Sequence, residues 1–262
     1  MGLVIVGVVL VAAAGGLLWL AKQKIALAGE MATTETSTCG SVKEMCAEVA
    51  KEVGAGSFRQ RVELKGTLKT DEPVTAELSK QRVALFRTRV ERKYEETVDV
   101  KDANGTTRHE TRTATETVSE LSGTAPCYVE DGTGRLDVVL QDADPDLQKV
   151  VDKFDPHSDR MEGDLVRLLA RAVLTPTHGR RTVGYHSTEH VLPVGRKVYV
   201  LGEASDAGGS LQVGKGGGKL VVSLKSEEEL VGAAKSGATM ARVGAAVCLV
   251  LGLVLVVMGI LR

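Results

Sequence analysis

Aromatic residues are scarce: one Trp, four Tyr and three Phe make up 3% of 262 residues. That leaves few stacking platforms, which argues against single-stranded nucleic acid as a ligand. Neither sign of charge is in excess. With 33 basic and 34 acidic residues the net charge is −1, so no basic field marks a nucleic-acid partner. Cysteine is limited to Cys39, Cys46, Cys127 and Cys248. None forms a CxxC pair, which argues against zinc. A bridge between Cys39 and Cys46 within one helix is disfavoured by the Cα spacing that a disulfide requires. All four read as small, partly buried thiols.

What the chain has is a long apolar run at each end. Leu3 to Ala21 carries no charge and is long enough to cross a bilayer as a helix. Trp19 stands near its end, where an amphipathic ring prefers the interface, and Lys22 and Lys24 follow. A cleaved signal peptide is the rival reading. It needs a basic start, and no Lys or Arg precedes this core. Val243 to Leu261 is likewise uncharged, and is too apolar on every face for a terminal core helix. Segments 3–21 and 243–261 are therefore assigned as transmembrane helices of a two-pass protein. The inner flanks carry Lys22, Lys24, Lys235 and Arg242, against Arg262 outside, so the charge rule puts the middle region in the cytoplasm.

Between them, residues 29–57 read as a linker plus an amphipathic helix. Thr33–Thr38 is polar and Thr-rich. Ser37 or Thr38 caps a helix over 39–53, whose Val42, Met45, Cys46, Val49 and Val53 make one stripe. The stripe packs on the domain or lies along the membrane. Residues 54–57, Gly-Ala-Gly-Ser, stop the helix. From Phe58 the period is two. Strands are expected at 58–68, 81–93, 94–100, 106–118, 127–129, 135–140, 185–191, 194–203, 211–213 and 220–223. Asp102–Gly105 is a hairpin turn, 144–155 a short helix or loop, and 163–174 a helix ended by Pro176. Ser226 with Glu229 forms a capping box opening a helix toward the second apolar run. The fold expected is β-rich α+β: a small antiparallel OB-like barrel over 58–232 with a helical insertion, flanked by two transmembrane helices.

Motifs for catalysis, cofactors or metals are weak throughout. Gly214–Lys219, GKGGGK, lacks the Ser or Thr of a phosphate loop and precedes a strand, so it reads as a flexible hairpin loop. His186 and His190 lack the adjacent Glu of HExxH. Asp142–Asp146 reads as a surface loop. No catalytic residue, cofactor or metal is assigned. The binding candidates are Arg87, Arg89 and Lys93, which share a strand face with Glu91: a solvated mixed-charge face first, a surface for anionic headgroups second.

Several segments carry a resemblance: FRQRVELKGTL (58–68), VALFRTRVERKY (83–94), KFDP (153–156), Gly184-Tyr185, Glu189 before Leu192-Pro193-Val194-Gly195, VYVLGE (198–203) and SLKSEEEL (223–230). In this order, between two apolar runs, they resemble the GIDE family, whose best-known member is a mitochondrial outer-membrane E3 ubiquitin ligase. Val/Ala/Gly/Arg-rich usage points to a prokaryotic member. In the family's ligases a RING with eight Cys/His ligands follows the second membrane segment. Here nothing of that kind follows, so the resemblance implies the membrane-side domain without the transfer activity. Family analogy would place that domain on the far side of the membrane from the RING, opposite to the charge rule. The function expected is a membrane-tethered, non-catalytic binding or scaffold module. Its partners are the lipid bilayer and a protein or small ligand, not nucleic acid. The alternative is an E3-family component acting through a partner.

Overall fold

The structure is a computed structural model that describes residues 2–101, 107–141, 143, 145–156 and 180–261. Helix α1 runs Gly2–Thr33, and α2 covers Cys39–Glu52. The strands are β1 Thr36–Ser37, β2 Arg59–Lys69, β3 Val74–Thr75, β4 Arg82–Lys101, β5 Thr107–Thr124, β6 Cys127–Asp131, β7 Gly134–Val138, β8 Gln148–Pro156, β9 Arg180–Pro193, β10 Lys197–Ser205, β11 Gln212–Gly214 and β12 Val221–Ser223. Helix α3, Glu227–Ile260, ends the fold.

Five strands close on themselves in the order β2–β6–β7–β11–β10 and back to β2. All pairings in the ring are antiparallel except β7 with β11. Closure leaves no free edge inside the ring. Val62, Leu64, Leu68, Val129, Leu136, Val138, Val200 and Val213 fill the interior. Strand β10 is apolar on both faces because both are covered. Val198, Val200 and Ala204 belong to the barrel core, while Tyr199 and Leu201 pack outward against Leu27 and Met31 of α1 and Leu230 of α3. Gly202 marks the tight crossing: a Cβ there would stand 2.6 Å from Val213 Cγ1.

A second sheet, β3/β5–β4–β9–β8, is spliced into the barrel from two connections. Strands β3 to β5 lie between β2 and β6, and β8 and β9 between β7 and β10. Ala84, Leu85 and Leu192 carry this sheet into the barrel core.

Helix α2 packs on the domain, not along a membrane. Val42 is buried in the barrel core, and Met45, Cys46 and Val49 pack against it. Thr38 caps it through a box with Ser41. Val53 leaves the stripe: it is the C-cap residue and 70% exposed, and Gly54 follows at φ +108°.

Helices α1 and α3 are each long and apolar enough to cross a membrane. They pack against each other as an antiparallel pair. Gly7, Ala14, Ala21 and Ala28 are buried at a spacing of seven along α1, with Ala238, Ala245 and Gly252 in α3. The repeat of seven is that of a left-handed supercoil with small residues at the seam. A Cβ on Gly252 would stand 2.9 Å from the Gly7 carbonyl oxygen, so the backbones touch there.

Several expectations are corrected. Residues 94–100 are not a separate strand, since β4 continues unbroken from Arg82 to Lys101; no turn residue separates Lys93 from Tyr94, and alternation continues across them. Residues 148–156 are a strand, not helix or loop, because pairing with β9 overrides a weak local pattern. The supposed linker is ordered: Gly29–Thr33 finish α1, and Thr36–Ser37 pair in parallel with Glu63–Leu64. The GKGGGK loop is no hairpin, because β11 and β12 both pair with β10, one at Glu203–Ser205 and the other at Tyr199–Leu201. The 163–174 helix and the 102–105 turn lie outside the described residues, as do Asp142 and Asp144. What is described of the insertions is sheet.

Candidate functional site

On β4, Arg87, Arg89 and Lys93 are exposed, while Thr88, Val90 and Arg92 between them are buried. Cross-strand register sets Arg87 beside His190 of β9 and Ser122 of β5, and Arg89 beside Thr188 and Glu120. A cleft of about 380 Å³ is lined by Arg87, Arg89, Glu120, Leu147, Thr188 and His190, among others. Arg89 Nη2 donates to Glu120 Oε1 at 2.9 Å, and Arg87 Nη2 to the Ala143 carbonyl at 3.4 Å. The Arg89–Glu120 pair is exposed, so it adds little to stability. Lys93 lies further along the same face, between Gly184 and Thr115, and does not line the cleft. Of the three cations singled out by sequence, two come together and the third stands apart.

The two histidines of β9 also separate. Four residues along a strand is about 13 Å, so His186 and His190 cannot share one ligand. His186 Nε2 lies 2.6 Å from Asp152 Oδ1, and its Nδ1 3.9 Å from Glu91 Oε2. Asp152 is held down at a pKa of about 2, by Lys149 first and His186 second. Among the described residues no cluster of three or more His, Cys, Asp and Glu has a metal-binding arrangement.

Four carboxylates that sequence reasoning passed over organise the molecule. Glu189 is fully buried beneath the cleft. It accepts from Leu78 N at 2.7 Å, Ser79 N at 2.8 Å and Thr88 Oγ1 at 2.8 Å. Burial pushes its pKa up, but these donors outweigh it and the net shift is downward. The strands that carry Arg87 and His190 are thereby pinned from the opposite face. Asp131, in the β6–β7 turn, accepts from Cys39 N at 2.8 Å, Thr133 N at 2.8 Å and Gly134 N at 3.1 Å, docking the α2 N-terminus. Its burial is outweighed by the Thr133 hydroxyl and these N–H groups, and its pKa falls to about 2. Asp206 accepts from Gly56 N and Phe58 N at 2.8 and 2.9 Å, tying the α2–β2 connection to the end of β10; its pKa is lowered, chiefly by the Gly56 bond.

Glu63 is the fourth, fully buried where the barrel meets the helix pair. Thr36 Oγ1 donates to Oε1 at 2.6 Å, Tyr199 Oη to Oε2 at 2.8 Å, and Lys65 Nζ sits 3.0 Å from Oε1. Lys65 also reaches Glu227 of α3 at 2.8 Å. Burial, then the Glu63 bond, drives the Tyr199 pKa upward, so its hydroxyl stays a donor. One carboxylate thus joins β1, β2 and β10, and through Lys65 the start of α3. The sequence signal was present: a lone acid at Val62-Glu63-Leu64, opposite the apolar β10. Alternation alone reads it as a solvated outward position.

Two of the thiols, Cys39 and Cys127, are buried. Burial pushes the Cys39 thiol up to about 11 and the Cys127 thiol up to about 12.

No curated protein and no solved structure matches the chain. A protein-family profile does, the GIDE family, described as E3 ubiquitin ligase, over residues 66–258. That span takes in β3 to β12, both insertions and nearly all of α3. With most of its length matched, this chain belongs to the GIDE family.

Proposed function

We propose that this chain is a two-pass membrane protein whose β-rich domain is a non-catalytic binding or scaffold module, held on the cytoplasmic side by a rigid helical stalk. The carrying observation is where four buried or half-buried acids are committed. Glu63, Glu189, Asp131 and Asp206 each take their donors from neighbouring strands, turns and helix starts. They serve architecture, leaving exposed clefts on a braced frame. The barrel order, with its single parallel closure, supports an OB-like reading, a fold that presents ligands on a strand face and its adjoining loops. Arg87, Arg89 and His190 make the outer cleft suited to an anionic group on a protein or small ligand. Lys93 extends the same face.

Purified full chain, mixed with ubiquitin, activating enzyme and conjugating enzymes, is expected to transfer no ubiquitin. Transfer under those conditions would overturn the reading. The family description favours a second reading, an E3-family component that works through a partner. Co-purification with a zinc-containing protein, and transfer only in its presence, would favour it over the first.

A further inference from the structure

A groove of about 630 Å³ lies where the barrel meets the helix pair, lined by Leu27 of α1, Leu230 of α3, Leu147, Leu220, Val221 and, at its rim, Lys215 and Lys219. Three features point to its occupant. The first is depth. Leu27 stands six residues past Ala21, the last residue of the apolar run, which is about 9 Å along a helix. The headgroup layer on each side of a bilayer is about 5–8 Å thick, so the groove opens at the outer edge of the headgroups. The second is charge. The acid in the lining is Asp146, which is 3.0 Å from Lys225 Nζ and accepts from Ser223 Oγ. Lys215 and Lys219 make no ion pair among the described residues. Beneath their loop, Arg61 Nη1 and Nη2 are buried without a hydrogen-bond partner, Gly218 lying against them, while Nε is paired with Glu30 at 2.6 Å, and the Glu203 carboxylate at the loop accepts from Gly217 N at 3.2 Å. The third is the apolar wall, which a free inorganic anion would leave uncovered.

We propose that this groove holds the headgroup of an anionic phospholipid from the adjoining leaflet. Lys215 and Lys219 flank its phosphate. Leu27, Leu220 and Leu230 pack on the carbons of its polar head. This rests on the membrane-spanning reading of α1 and α3. It places the lipid contact on the GKGGGK loop and stalk instead of on Arg87, Arg89 and Lys93. Long lysine stems lying along apolar surface with their ammonium at a phosphate suit such a position.

The test uses the full chain in nanodiscs of phosphatidylcholine with and without phosphatidylglycerol, followed by native mass spectrometry of the lipids retained. Phosphatidylglycerol is expected to be retained over phosphatidylcholine. The Lys215→Gln/Lys219→Gln variant should lose that preference by about thirtyfold, from the loss of two near-surface cations. Both positions are exposed loop residues, so folding is preserved. Arg87→Gln/Arg89→Gln should leave retention unchanged. If it abolishes retention while the loop variant keeps it, the contact is on β4 and the proposal fails. Displacement of the lipid by inorganic phosphate would make the site a free-anion site and also overturn it. Failure to enter nanodiscs at all would refute the spanning reading itself. Entry without lipid preference would refute the groove alone.

Discussion

Glu63→Ala is the sharpest test of the junction. The substitution removes the acceptor of two short hydroxyl bonds, from Thr36 at 2.6 Å and Tyr199 at 2.8 Å, and the partner of Lys65 at 3.0 Å. A bond to a charged group is worth about 1.5 kcal/mol at the low end. The two hydroxyl bonds therefore give about 3 kcal/mol, and the Tyr199 hydroxyl is then left buried without an acceptor. Lys65 adds little, because its side chain is 45% exposed and keeps Glu227. A loss of about 3 kcal/mol matches the lower end for removing one partner of a buried pair. For a domain of this size it lowers the melting midpoint by about 6–12 °C. Tyr199→Phe removes one donor only and should cost about half as much. The two changes should be non-additive in the double variant, since they share one bond. The assay is thermal unfolding of the full chain in detergent, followed by near-ultraviolet circular dichroism. An E63A midpoint no lower than that of Y199F, or strict additivity, would refute the network.

The remaining predictions concern the turn, the seam and the thiols. Asp131 has a folded pKa of about 2 against an ordinary 3.8; a depressed acid stabilises above its unfolded pKa, so this contribution disappears as pH falls from about 4 to 2. Asp131→Ala should flatten the acid limb in urea titrations across that window and cost about 1 kcal/mol near neutral pH, as for other lost helix caps; an unchanged acid limb would count against it. Gly252→Leu should part the helix pair, and oxidative crosslinking of a Leu17→Cys/Gly244→Cys pair in membranes should fall sharply; undiminished crosslinking would refute the seam. Cys39 and Cys127 should resist maleimide while the protein is folded, so they cannot report sidedness. An exposed Thr113→Cys should label promptly, and its protection from an impermeant reagent on intact cells would place the domain inside.

What could be read in the sequence was whatever alternates or runs apolar locally. The capping box at Ser226 and Glu229, the β6–β7 hairpin and the α2 stripe from Val42 to Val49 appear where the pattern put them. The strand at 148–156 was missed because its Val150 and Val151 lie among charges, and only β9 makes them a strand. The site was less legible. Arg87 and Arg89 share a cleft with His190 through a register that links residues a hundred positions apart. Glu63, Glu189, Asp131 and Asp206 look like surface acids until their donors arrive from elsewhere in the chain.

Connections of two or three residues join the two helices to the strands. Helix α1 gives way to β1 within three residues, and α3 starts at its Ser226 cap immediately after β12. In mechanical terms, with α1 and α3 read as membrane-spanning, the molecule is a lever whose longer helical arm lies in the bilayer. Beyond Ala21, α1 continues for about 18 Å. A 10° change in tilt, of the kind imposed by a thicker or thinner bilayer, moves the base of the barrel sideways by about 3 Å. On the two-pass reading of α1 and α3, a change in bilayer thickness is thereby passed to the position of the barrel.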